Sequence, residues 1–241
     1  MTLKHYVLAS FATAALLGMS SGHTATITIY GDGSLAAAQN GEEEFWGDAE
    51  RETEDFESYE AGTQAIVFDS SVGRFVMVTA GSTGLCEPDC ADGLVILDAD
   101  SSPFNGRFDV TFADGSGQWL DSFDAREVQF IPEGDDVRQV GFFITDPNDA
   151  GGRFNIQLRD GTEILFDTTN AAFGGGLASG QVFYVGVMAD QAIESIWIRS
   201  NNRNDGFGID NVSIVPEPAV LGMLGAGLLG MAAMRRRRKA G

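Results

Sequence analysis

From Arg153 to Arg159 the chain alternates strictly: Phe154, Ile156 and Leu158 are apolar, and Arg153, Asn155, Gln157 and Arg159 are polar. A period of two sends successive side chains to opposite faces, so such a run suits a strand with one face on a core and one in water. Arg107-Phe108-Asp109-Val110-Thr111-Phe112 carries the same signature. Further strands are predicted at 74–79, 93–97, 126–131, 138–145, 162–167, 181–188, 193–199 and 208–215. Turn chemistry separates them: Asp146-Pro147-Asn148-Asp149, Asp160-Gly161 as a hairpin signal, Asn204-Asp205-Gly206, and a Gly-rich loop at 174–180. Many short alternating strands predict an all-β fold, an antiparallel β-sandwich forming one domain over 26–215. Only Ser34 to about Ala49 reads as a short helix, with Ser34 as its N-cap.

The two ends do not belong to that pattern. Residues 1–22 read as a signal peptide: Lys4 supplies a positive start, Tyr6 to Gly18 an apolar stretch, and Ser20-Ser21-Gly22 the small residues a peptidase accepts. At the other end, Pro216-Glu217-Pro218 precedes a mostly apolar stretch over 219–234, then a basic end at 235–239 formed by Arg235, Arg236, Arg237, Arg238 and Lys239. A membrane-spanning helix needs about 20 apolar residues. This one is shorter and interrupted by Gly222, Gly225, Gly227 and Gly230, so it suits a transient transmembrane anchor. The arginines would stay cytoplasmic and everything before Pro216 outside.

Val215-Pro216-Glu217-Pro218, the Gly/Leu-rich stretch and the terminal arginine run resemble the PEP-CTERM sorting signal of Gram-negative bacteria. The resemblance covers residues 216–241. It implies an exported protein held briefly at the inner membrane, cut near Pro216-Glu217-Pro218 by an exosortase-type transpeptidase, and sent to the cell surface or the medium. The family is associated with extracellular polysaccharide and biofilm, and similar tails occur on some ice-binding proteins. Asp55-Phe56-Glu57-Ser58, Gly141 to Asp146 and Asp205 to Val212 are similar to segments of exported β-sandwiches that resemble carbohydrate-binding jelly rolls. That second likeness implies a jelly-roll-like ectodomain.

Absent residue types exclude much chemistry. The two histidines, His5 and His23, lie in the signal or at its edge, and no lysine lies between Lys4 and Lys239. Ser-His-Asp and Cys-His catalysis, Ser-Lys dyads and His-ligated zinc therefore have no residues to work with. There is also no phosphate-cradling glycine loop of P-loop type. Between the two ends, 34 acidic side chains stand against nine arginines. Such a surface repels phosphate backbones, so nucleic acid is not an expected partner, whereas neutral sugars and divalent cations are. Carboxylate pairs are the catalytic device that remains, which keeps a secreted glycoside-active enzyme as the alternative to a non-catalytic structural or polysaccharide-binding role. No regular threonine array supports ice binding.

Four residue sets are candidates for particular roles. Cys86 and Cys90, the only cysteines, are expected to close a small disulfide in an exported chain. Asp210 shares parity with Val212 and Ile214 and should face inward, where a carboxylate needs a cation, an arginine or several donors. Carbohydrate-binding jelly rolls place calcium between an early acid and a late aspartate. Glu57 and Asp210 are the matching positions here, and Ca2+ is the implied cofactor. Asp98 to Pro103 begins like a calcium loop, but Pro103 stands where glycine is required, so a solvated turn is expected. Trp46, Trp119 and Trp197 could each stack on a sugar or pack in the core. Trp119 in a Gly-rich turn and Trp197 on a polar strand face are the ligand-binding candidates.

Overall fold

The computed structural model describes residues 24–81, 93–112, 114–123, 125–147, 154–159, 161–166, 178–200, 202 and 206–215. The signal peptide, Cys86 and Cys90, and the tail from Pro216 onward lie outside them. Among the described residues no helix is long and apolar enough to cross a membrane.

The strands, in chain order, are β1 (Ala25–Gly33), β2 (Glu52–Glu54), β3 (Gln64–Ala65), β4 (Val67–Ser70), β5 (Gly73–Thr79), β6 (Leu94–Asp98) and β7 (Gln118–Asp121). They continue with β8 (Glu127–Pro132), β9 (Gln139–Thr145), β10 (Phe154–Leu158), β11 (Glu163–Phe166), β12 (Val182–Ala189), β13 (Ile196–Ser200) and β14 (Gly208–Ile214). Sheet A runs β1-β12-β9-β14-β7-β6-β3, with β2 also paired to β14, and sheet B runs β11-β10-β13-β8-β5-β4. The described pairings are antiparallel. One continuous apolar cluster joins the sheets: Ile96, Phe142, Val185 and Ile209 from sheet A meet Phe75, Val128, Phe130 and Ile198 from sheet B. This is the predicted antiparallel sandwich.

The two sheets differ in what covers their outer faces. Sheet B alternates: in β13 Ile196 and Ile198 are buried while Trp197 and Arg199 are half exposed. Sheet A does not: β9 is buried from Val140 to Thr145 and β12 from Val182 to Val187. The reason is a second apolar layer, in which helix α1 (Leu35–Trp46) lays Ala38, Phe45 and Trp46 over Phe143, Val182 and Tyr184. Ser34 caps that helix as expected, its hydroxyl accepting from the Ala37 amide at 3.3 Å. Glycine makes room for the docking. A Cβ on Gly186 of β12 would stand 2.4 Å from the Phe45 ring.

Two expectations about strands need correction. Residues 107–112 are not a strand. Asp109 bends the segment by accepting backbone amides from Thr111 (2.7 Å) and Phe112 (3.0 Å), and local caps of this kind compete with a ladder. The run nevertheless keeps its burial, with Arg107, Asp109 and Val110 enclosed over the outer face of sheet A. Conversely, Gln118 and Trp119, read as the end of a Gly-rich turn, open β7 between β14 and β6 inside sheet A, and Trp119, Leu120 and Asp121 are all buried, so no alternation marks it. Strands β10 and β11 pair as the predicted hairpin, the Gly161 amide donating to the Leu158 carbonyl at 3.0 Å, while Asp160 lies outside the described residues.

Candidate functional site

The outer face of sheet B brings together polar side chains that are far apart in the chain. Strand register aligns Thr79, Glu127, Arg199 and Asn155 in one row across β5, β8, β13 and β10. A second row aligns Val76, Gln129, Trp197, Gln157 and Glu163. Neighbours in such rows stand about 5 Å apart, within reach of one another. The Arg199 Nε donates to Glu127 Oε1 at 2.6 Å, its Nη1 donates to Gln157 Oε1, and its guanidinium lies 4.7 Å from the Trp197 ring centroid. Glu127 also accepts from the Thr79 hydroxyl at 3.0 Å, and Glu163 from the Asn155 amide at 3.1 Å. The Trp197 indole donates to the Ser195 hydroxyl at 3.2 Å. Around these residues lies an open cleft of about 410 Å³, with Arg126 and Ser200 completing its wall. Its lining is polar, with donors and acceptors of the kind sugar hydroxyls need, and Trp197 stands beside it next to Gln157 and Arg199.

The other candidate residues sit elsewhere. Trp119 is 1% exposed, and its indole donates to Asp121 Oδ2 at 3.0 Å. It belongs to the core of sheet A and offers no face to a ligand. Trp46 is enclosed beneath α1, donating to the Tyr184 hydroxyl. Trp197 alone of the three lies on an accessible sheet face.

Asp210 is fully buried, but not by the parity argued from sequence. A bulge between Asp210 and Ser213, with Asn211 at φ 46°, inserts one residue. Ile209, Val212 and Ile214 therefore face the sandwich core, and Asp210 faces outward opposite Phe143. There the 107–117 segment covers it. Asp210 Oδ2 accepts from the Val110 amide at 2.8 Å and Oδ1 from the Asn211 amide at 2.7 Å. Burial holds its carboxyl well above the ordinary range against those two amides, and the Asp109 carboxyl beside it adds to the rise. Asp109 also takes the Gly117 amide at 3.2 Å, and Glu57 Oε1 takes the Gln118 amide at 2.6 Å. Burial pushes Glu57 up as well, opposed by that amide and reinforced by Asp109.

Glu57, Asp109 and Asp210 thus form a line of acids along one loop, their oxygens aimed at backbone donors. Among the described residues no three acidic side chains converge on a point as a metal ion requires. These acids hold backbone amides of Val110, Thr111, Phe112, Gly117 and Gln118. Asp109 escaped notice in the sequence because alternation disguised it as a surface residue of a strand. Asp98 to Ser101 is the expected turn, the Asp98 carboxylate accepting from the Ser101 amide at 2.7 Å.

Among the described residues a helix covers sheet A, and the outer face of sheet B is the accessible sheet face of this β-sandwich. The chain carries a PEP-CTERM protein-sorting motif over residues 215–238. The motif marks an exported protein processed by an exosortase at the membrane. No curated protein matches the chain. Among solved structures, the K3 cleaved adhesin domain of Lys-gingipain from Porphyromonas gingivalis W83 is similar over 52% of this chain and 91% of its own, at 14% identity and a TM-score of 0.29. At that score the likeness carries no weight for function.

Proposed function

We propose that the mature domain is a non-catalytic component of the cell surface or extracellular matrix that binds polysaccharide on the outer face of sheet B. The reading is carried by the Trp197 row beside the cleft: an aromatic ring flanked by Gln129, Gln157 and Arg199 on the half-exposed outer face of sheet B. The tail delivers it there, its apolar stretch holding the chain in the inner membrane until the cut near Pro216-Glu217-Pro218. Retention of the purified domain on exopolysaccharide tests the reading. Trp197→Ala is expected to lose retention with an unchanged melting temperature. Retention equal to wild type would overturn the site.

The carboxylate-enzyme alternative has two acids in the same cleft, Glu127 and Glu163. Release of reducing sugar that disappears in Glu127→Gln or Glu163→Gln would replace the binding reading with that one.

A further inference from the structure

We infer that the cleft on sheet B takes an anionic sugar unit, with Arg126 holding its acid group. The inference rests on the polysaccharide-binding reading and narrows its ligand. Among the described arginines every other side chain is matched to an acid: Arg51 to Glu42, Arg74 to Asp69, Arg107 to Asp121, Arg138 to Asp136, Arg159 to Glu194 and Arg199 to Glu127. Arg126 is matched to none, and its buried Nε has no hydrogen-bond acceptor.

In a chain with 35 acidic side chains against 15 basic ones, an unmatched guanidinium is a local exception. It lines a cleft together with Thr79, Asn155 and Ser200, neutral groups suited to sugar hydroxyls, and with two acids, Glu127 held by Arg199 and Thr79 and Glu163 held by Asn155. Arg199, on the same wall, is already held by Glu127 and Gln157, so Arg126 is the cation left for a ligand. A guanidinium meets carboxylate or sulfate with paired N–H donors, which an ammonium cannot do. The acidic surface does not forbid this contact. Charges beyond about 8 Å are screened at physiological salt, so net charge slows encounter more than it weakens a partly enclosed pair.

Binding of the purified domain to polygalacturonate, its methyl ester, dextran sulfate and unsubstituted dextran tests the inference. The acid forms are expected to bind roughly tenfold or more tighter than the neutral ones, as a charged hydrogen bond would give. Arg126→Gln should erase that preference while leaving the melting temperature unchanged, and Trp197→Ala should weaken acid and ester alike. A preference for dextran sulfate alone, lost in Arg126→Gln, supports the inference with sulfate as the group. Binding in which neither polygalacturonate nor dextran sulfate is preferred over its neutral counterpart, or a preference intact in Arg126→Gln, overturns the inference and leaves polysaccharide binding standing. Failure to bind any of the four overturns both.

Discussion

Arg107 illustrates how a residue placed by a strand-like pattern serves another purpose. It is 8% exposed, its Nη1 meeting Asp121 Oδ1 and the Phe123 carbonyl, each at 2.9 Å, while its guanidinium lies 4.0 Å from the Phe104 ring centroid. Removing one partner of a buried pair leaves the other charge uncompensated, so Arg107→Ala is expected to cost about 3–5 kcal/mol, read from urea unfolding. Asp210 makes the opposite kind of statement. The folded protein holds its proton more tightly than the unfolded chain does, so the linked stability is greatest at low pH. That stability is lost as pH rises from the ordinary carboxylate value near 4 through the raised folded value. Urea midpoints from pH 4 to pH 8 should therefore fall for the wild type relative to Asp210→Asn, and parallel curves would contradict the assignment. Calcium between Glu57 and Asp210 predicts that a chelator lowers the melting temperature, and an unchanged one counts against it. A chelator-sensitive melting temperature that becomes insensitive in Asp210→Asn would support calcium at Glu57 and Asp210.

Among the elements, α1 and β12 show a contact that only packing explains. Gly186 is a notch into which Phe45 fits, and Tyr30 and Tyr184 hold that ring at centroid distances of 6.2 and 6.0 Å. Gly186→Ala forces the ring out and is expected to cost about 1–3 kcal/mol. Adding Phe45→Ala should make the glycine substitution nearly free, which a double-mutant cycle measures. The same layer explains why the sequence was legible unevenly. Sheet B faces water, so β8, β10 and β13 keep their alternation and were found from it. Under α1, β9 and β12 read as unbroken apolar runs, identifiable as strands but silent about what covers them. Strands β2 and β3, of three and two residues, are too short to carry any period.

For the whole molecule, the sorting motif over 215–238 governs route, and the sandwich governs what arrives. Mass spectrometry of the mature protein is expected to show loss of the first 19 to 25 residues and a new C-terminus near Pro216-Glu217-Pro218. An intact chain in the cytosol would refute that route. The route was readable from sequence because a sorting signal is a linear string, recognised before any fold exists. Fold class was readable too, since period-two patterning is a property of neighbours in the chain. The site was not. Trp197 could be placed on a polar face from its own strand, but nothing local shows that Trp119 lies in β7, an inner strand of a covered sheet. Asp210 was called buried through a parity that the Asn211 bulge reverses. The cleft itself needs Thr79, Arg126, Asn155 and Arg199 side by side, and nothing local specifies that β5, β8, β13 and β10 are neighbours. Only the burial of one shared core sets that order, because it requires every strand's apolar face to be satisfied at once.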